Sequence, residues 1–137
     1  MGSGFLVSLV LSFLVRCSLC PCEHIHHSWR LYVIEPHKEV SGRVMSVEPE
    51  VDGDYHINLK IQDLSLLSDK NIKNEDTCLV VEVICAHASI FSACKNYKNN
   101  IPIPSIGDSI KVIGPYVNDW IHGLREIHPV DSLIFLY

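Results

Sequence analysis

Acidic and imidazole side chains are concentrated in two short motifs that lie far apart in the chain. The first motif is Asp52-Gly53-Asp54-Tyr55-His56, and the second is His122-Gly123-Leu124-Arg125-Glu126-Ile127-His128-Pro129-Val130. Imidazole nitrogens and carboxylate oxygens are ligands that zinc uses in proteins, and the same groups act as general acids and bases. The motifs therefore define a candidate polar cluster, which consists of Asp52, Asp54, His56, His122, Glu126 and His128.

Three interpretations of this cluster are open. The side chains can be structural, because a histidine packed against a carboxylate satisfies buried polar groups and fixes strand register. They can instead bind a divalent metal such as zinc, and an open coordination position would then permit hydrolysis. No His-x-His or His-x-x-x-His pair follows residue 28, so tertiary structure would have to bring every ligand together. The third interpretation places function on a separate binding surface.

The elements that must position these groups are strands, because the hydrophobic period from about Val33 onward is two. The five predicted strands are Lys38–Val47 with a bulge at Gly42, Tyr55–Gln62, Cys78–Cys85, Ser109–Tyr116, and Gly123–Leu136 interrupted by Pro129. A short helix is predicted within Ala86–Asn100, and Asp63–Thr77 is predicted to be a polar connection. Three strands, a helix and two strands is the order of the OB-fold, a five-stranded and partly open barrel. The alternative is another small β-barrel or a sandwich.

In such a barrel we expect strands one and two to form a hairpin and strand five to close against strand one. The candidate polar cluster would then converge near one end of the barrel. OB-folds bind ligands on strands two and three and the flanking loops. The corresponding candidate binding surface consists of Tyr55, Asn58, Lys60, Gln62, Glu82, Tyr116 and Trp120.

The two motifs resemble those of a group of small uncharacterised archaeal and bacterial OB-like proteins. Those proteins carry Asp-Gly-Asp-Tyr/Trp-His early and His-Gly-x-x-Glu-Ile-His-Pro-Val late, and this chain has both patterns. It departs from the group at Leu124, where the group has a tryptophan. The resemblance implies a shared fold and a shared polar cluster, and it brings no established activity.

Residues 1–28 differ in character from the predicted barrel domain, residues 29–137. The apolar run Phe5–Val15 matches the core of a signal peptide in length and is too short for an ordinary transmembrane helix. No Lys or Arg precedes it, and no Ala-x-Ala cleavage site follows it. Despite these two departures, the length and apolarity of the run predict export or membrane association through residues 5–15. The alternative is a wrongly assigned start codon and a cytoplasmic protein.

Six cysteines fall into two groups. Cys17, Cys20 and Cys22, with the histidines that follow, form a contiguous junction that we expect to bind metal only adventitiously. The second group is Cys78, Cys85 and Cys94. In an exported protein the spacing favours a Cys85–Cys94 disulfide, although the sequence leaves the pairing open, and in a reducing compartment both residues would be buried thiols.

The net charge and the motifs make some classes of function less favoured. The net charge of −5 disfavours non-specific nucleic-acid binding, which depends on clustered Lys and Arg. No nucleophile elbow, P-loop or dinucleotide fingerprint is present, so an enzyme is the less favoured interpretation. We predict a non-catalytic binding or interaction module whose partner is an unknown small ligand or a protein. The first alternative is a metal-binding protein, with zinc as the expected ion, and the second is a binder of single-stranded nucleic acid or oligosaccharide.

Overall fold

The computed structural model describes residues 24–137, which form six strands and one short α-helix. The elements are β1 (Leu31–Pro49), β2 (Tyr55–Lys60), α1 (Asp69–Asn74), β3 (Leu79–Val83), β4 (Ser109–Asp119), β5 (Leu124–Ile127) and β6 (Ser132–Phe135). Three-residue 3-10 turns occur at Ser28–Arg30, Leu64–Leu66 and Ser92–Cys94. The predicted class, mostly β with one short helix, is confirmed. The predicted signal-like run and Cys17, Cys20 and Cys22 lie outside the described residues.

Five of the strands close into a ring. The hydrogen-bonded order is β1-β2-β3-β5-β4, and β4 pairs back with β1. All these pairings are antiparallel except that of β3 with β5. The predicted fifth strand is divided at Pro129, as expected, into β5 and β6. These two strands pair with opposite halves of β4.

The predicted closure of strand five against strand one is wrong. The strand that closes the ring against β1 is β4, whereas β5 lies between β3 and β4. β1 can serve two neighbours because it is 19 residues long and its pairing is irregular, so that its first part pairs with β4 and its last part with β2. The sequence analysis did not assign residues 31–37 to the strand. Their side chains are exposed or only partly buried, so they do not alternate regularly between apolar and polar residues.

The helix also lies elsewhere in the chain than predicted. Residues 86–100 contain only a 3-10 turn, and Ile90 on the predicted apolar stripe is almost fully exposed. The α-helix instead begins within the predicted polar connection, where Ser68 and Asn71 form a capping box. Asn71 is fully buried, and its side chain donates hydrogen bonds to the backbone oxygens of Cys78 and Arg125. These bonds hold α1 beside β5, which explains why so short a helix is formed.

The apolar core fills the inside of the ring. Alternate residues of β2 and β3 point inward, and they are joined by valines of β1 and by apolar residues of β4 and β5; the fully buried members are Val44, Ile57, Leu59, Leu79, Val81, Val83, Ile110, Val112 and Ile127. The predicted bulge at Gly42 lies three residues later, since the β1–β2 register shifts between Val44 and Ser46. Gly42 has a different role: a Cβ there would overlap the backbone oxygen of Lys60, so the two strands can approach only with glycine.

Candidate functional site

The strand alternation that buries the core places a second set of side chains on the outer face of the ring. His56 and Asn58 lie on this face of β2, Glu82 lies on β3, and Glu126 lies on β5. His56 pairs in register with Glu82, and the parallel register of β3 and β5 pairs Val80 with Glu126. The same register brings His128, two residues after Glu126, next to Glu82.

Four of these residues form what we call the His/Glu cluster: His56, Glu82, Glu126 and His128. His56 Nδ1 lies 2.9 Å from Glu82 Oε1, and His128 Nδ1 lies 2.9 Å from Glu126 Oε2. One ligand atom from each of Glu82, Glu126 and His128 lies within 4.8 Å of the other two. Glu82 is 5% exposed, Glu126 3% and His128 2%, so the centre of the cluster is shielded from water.

His56 joins the cluster to the end of α1. Its second ring nitrogen, Nε2, lies 3.2 Å from Oε2 of Glu75, the residue that follows the helix. Burial by itself would lower the pKa of His56, but the hydrogen bonds and charges of Glu82 and Glu75 outweigh it and raise the pKa to about 10. His56 is therefore an imidazolium at neutral pH, and both of its N–H groups face carboxylates.

The other buried groups also have shifted pKa values. Burial raises the pKa of Asp54 to about 6, although the Cys85 N–H that donates to its Oδ1 works in the opposite direction. Burial likewise raises the pKa of Glu82. For His128, burial opposes the charged form, but the hydrogen bond and charge of Glu126 raise the pKa above the usual value.

The region contains more carboxylates than imidazoles. At most two positive charges, on His56 and His128, face five negative charges when all the carboxylates are ionised, on Glu50, Asp54, Glu75, Glu82 and Glu126. The excess of negative charge is then at least three. Uncompensated charge is costly where water is excluded. The site must therefore hold extra protons or accept a cation.

Several buried polar atoms of this face have no hydrogen-bond partner among the described residues. They are Glu82 Oε2, His128 Nε2 and Asn58 Oδ1. Buried polar atoms are nearly always paired in folded proteins, so unpaired ones call for an explanation. A carboxylate oxygen and an imidazole nitrogen are both donor types that zinc accepts.

The structure brings together only part of the predicted polar cluster. Glu126 and His128 are adjacent, His56 is joined to them through Glu82, and Asp54 is close enough for its charge to affect His128. Asp52 instead uses its side chain to accept from the Asp54 N–H. His122 has a side chain that is 52% exposed and pairs with Asp119 at 2.8 Å. His122 therefore lies outside this cluster, whereas Asp52 remains beside Asp54, whose pKa its charge raises.

Sequence reasoning missed the central role of Glu82, which it placed on the binding surface. A signal was present, since Glu82 is the one charged residue within the apolar strand Leu79–Val83. A carboxylate buried at the centre of an apolar strand requires a partner. Glu75 had no comparable signal, because its approach to His56 depends on how the segment between β2 and β3 folds.

The candidate binding surface is not a single surface. Asn58, Glu82 and Tyr116 are buried, and the Tyr116 hydroxyl donates to the Leu66 backbone oxygen at 2.6 Å. Tyr55 is partly buried with its ring 5.2 Å from that of His87, while Lys60 and Gln62 are exposed. Trp120 is 57% exposed and packs edge-on against Trp29 at 5.8 Å. These side chains therefore do not share one exposed face, since the segment between β2 and β3 contacts β2 through Glu75 and β4 through Leu66.

The predicted disulfide is present between Cys85 and Cys94. It lies directly beside the site, since the Cys85 N–H donates to Asp54 Oδ1 at 2.8 Å. Cys78 is a free, buried thiol. Within residues 24–137 there is no helix of the length and apolarity needed to cross a bilayer.

Comparison of the chain with protein-family models gives no match, and comparison with curated proteins gives none either. The motif resemblance to small OB-like proteins therefore stays a prediction. Function has to be inferred from the geometry of the site.

Proposed function

We propose that this chain is a metal-binding module on an OB-fold-like barrel, and that Glu82 and His128 bind a divalent ion such as zinc while Glu126 orients His128. The unpaired, buried Glu82 Oε2 and His128 Nε2 are the observation that carries this proposal. A bound cation would give both atoms a partner and would also offset the excess negative charge around them.

The strand order supports an OB-fold. The closed order β1-β2-β3-β5-β4 and the parallel contact between β3 and β5 fit a five-stranded Greek-key barrel. The position of α1, before β3 rather than after it, departs from the order expected from the sequence. The proposal therefore depends on the strands and not on the helix.

The orientation of His128 favours metal binding in a specific way. Metal-binding histidines usually use one ring nitrogen for the ion and donate the other N–H to a carboxylate, which fixes the ring and its tautomer. His128 has this arrangement, since Nδ1 faces Glu126 at 2.9 Å and Nε2 is free. Glu126 would thus orient His128 from the far side of the ring, and its negative charge would favour a cation nearby, while Glu82 and His128 would be the ligands.

The burial of the proposed ligands favours a binding or structural role over catalysis. Catalytic zinc keeps a coordination position that water and substrate can reach. Here each ligand is at most 5% exposed, so a substrate has no route to the ion without movement of the covering segments. We accordingly propose a non-catalytic module that binds its partner elsewhere on the surface.

Export of the protein is part of the proposal. A disulfide is compatible with an oxidising compartment, and the apolar run Phe5–Val15 has the length of a signal-peptide core.

The test is thermal denaturation of the full chain after removal of metal with EDTA and dialysis, with and without added zinc. A site that binds only the folded state stabilises it by about 2.7 kcal/mol when the ligand is in hundredfold excess over Kd. For a domain of this size that corresponds to a rise in Tm of roughly 10 °C. Manganese and calcium serve as comparison ions.

Matched variants distinguish the proposed site from the junction at residues 17–27. Glu82→Gln and His128→Gln remove a ligand each, and Glu48→Gln and His37→Gln make the same changes at exposed positions. We expect the zinc-induced rise to be lost in the first pair and kept in the second. A rise that survives in Glu82→Gln and His128→Gln, or no rise in the unaltered chain, would leave the His/Glu cluster with a purely structural role.

A further inference from the structure

A second region of the molecule has features of a ligand site that are independent of the His/Glu cluster. A cavity of about 590 Å³ lies where β1 runs between β2 and β4. Its walls combine basic side chains with apolar ones, including Lys38, Val40, Arg43, Lys60, Ile61 and Leu136. The volume lies within the range of small-molecule pockets.

Two neighbouring cations without an ion-pair partner among the described residues line this cavity. Arg43 and Lys60 are direct partners in the antiparallel register of β1 and β2, and both line the cavity. Like charges directly opposite each other destabilise a sheet. Neither side chain has an ion-pair partner within residues 24–137. The pair is therefore an unfavourable arrangement that an anion would relieve.

A third hydrogen-bonding group extends the row. Arg43 also pairs in register with Ser109 of β4, so that Lys60, Arg43 and Ser109 lie side by side on three adjacent strands. Neighbouring strands are roughly 4.8 Å apart, which lets groups from adjacent strands reach one oxyanion. The guanidinium of arginine is well suited to phosphate and carboxylate groups because it can donate two parallel hydrogen bonds.

Two of the other charged side chains of the cavity are in ion pairs. Lys38 pairs with Glu35 at 3.2 Å, and Glu39 pairs with Lys111 at 2.7 Å. Asp63 accepts from both the N–H and the hydroxyl of Ser65. Arg43, Lys60 and Asp63 are left without an ion pair among the described residues, and together they carry one net positive charge, although the whole chain carries −5.

We infer that this cavity binds a small amphiphilic oxyanion, with its phosphate or carboxylate head on Arg43, Lys60 and Ser109. Its apolar body would lie against Val40, Ile61 and Leu136. Val40 and Ile61 are 6% exposed and offer a firm apolar wall. The site is distinct from the proposed metal centre, so it can be tested in metal-free protein.

The experiment titrates the full chain, in EDTA, with octyl phosphate, octanoate, inorganic phosphate and 1-octanol, and measures binding by calorimetry and by backbone amide NMR shifts. Arg43→Gln and Lys60→Met remove one cation each, and Lys95→Met is the matched control at an exposed position outside the cavity. We expect saturable binding of at least one of the two amphiphilic anions, with shifts centred on residues 38–43 and 60–63. Loss of one charged hydrogen bond should weaken it about 10- to 100-fold in Arg43→Gln and Lys60→Met.

The four probes separate the possible results. Stronger binding of octyl phosphate than octanoate would indicate a phosphate head, and the reverse would indicate a carboxylate. The inference is overturned if 1-octanol or inorganic phosphate binds as well as both amphiphilic anions. It is also overturned if neither amphiphilic anion binds, or if binding is unchanged in both cavity variants. Lys60→Met also removes the repulsion between Lys60 and Arg43, so the Tm of this variant should not fall. A loss of binding in Lys60→Met therefore cannot be attributed to unfolding.

Discussion

Asp54 should make the metal-free protein less stable as the pH rises from about 4 to 7. Its pKa is near 3.8 in an unfolded chain and is raised to about 6 in the folded protein, mainly by burial. Between these values the folded state binds more protons than the unfolded state. Stability therefore decreases with pH in this window, because ionising the buried carboxyl costs more than ionising an exposed one.

The magnitude follows from the size of the pKa shift. A shift from 3.8 to about 6 is roughly two units. At about 1.36 kcal/mol per unit, the loss from Asp54 alone has an upper limit of about 3 kcal/mol between pH 4 and 7. His56 extends the same trend to higher pH, because its pKa is raised from 6.5 to about 10 in the folded protein. The stabilisation by protonated His56 is complete below pH 6.5 and is lost as the pH rises from 6.5 through about 10.

The assay is urea denaturation in EDTA at half-unit steps of pH from 4 to 8, on the full chain and on Asp54→Asn. Asparagine retains the oxygen that accepts from the Cys85 N–H but does not ionise. The difference in unfolding free energy between the two proteins isolates Asp54 from the other carboxylates. We expect the unaltered chain to lose about 2–3 kcal/mol relative to Asp54→Asn between pH 4 and 7. Parallel curves, or a relative gain with rising pH, would refute the assignment of Asp54 as a buried, destabilised carboxylate.

Three further predictions concern the framework around the sites. Replacing Cys85 and Cys94 together by serine should lower the unfolding free energy by about 2–3 kcal/mol in urea, because the closed loop is short, and an unchanged midpoint would count against a formed disulfide. Gly42→Ala should lower the unfolding free energy by about 1–3 kcal/mol in the same assay, because its Cβ would overlap the Lys60 backbone oxygen. Gly107→Ala is the comparison variant, because Gly107 has a positive φ but no close backbone contact. Ser68→Ala removes the capping box of α1 and should cost about 1 kcal/mol, with faster amide exchange at residues 71–75; exchange that does not change would contradict the role of the cap.

The strands could be predicted from the sequence because their inward residues alternate cleanly. Ile57, Leu59 and Ile61 gave β2, and the continuous apolar run gave β3. The helix could not be placed, because α1 depends on the buried side chain of Asn71 and its bonds to distant backbone groups. Such tertiary hydrogen bonds leave no periodic pattern. The apolar stripe in residues 86–100 was a false signal.

The candidate site could be predicted only in part. His56, Glu126 and His128 were visible as paired motifs, and their common face followed from alternation along the strands. Glu82 was seen but given another role, because its position opposite His56 depends on the β2–β3 register. His122 was wrongly included, since sequence proximity to Glu126 cannot reveal that the chain turns at Gly123, whose φ is +72°.

The most direct test of the metal-binding proposal is zinc K-edge X-ray absorption of the full chain loaded with one equivalent of zinc. Coordination by Glu82 and His128 predicts only nitrogen and oxygen neighbours, at about 2.0–2.2 Å, with the outer-shell scattering of an imidazole. Sulfur scattering near 2.3 Å would assign the ion to the junction cysteines Cys17, Cys20 and Cys22 and would contradict the proposal, as would a failure of the chain to retain zinc through dialysis.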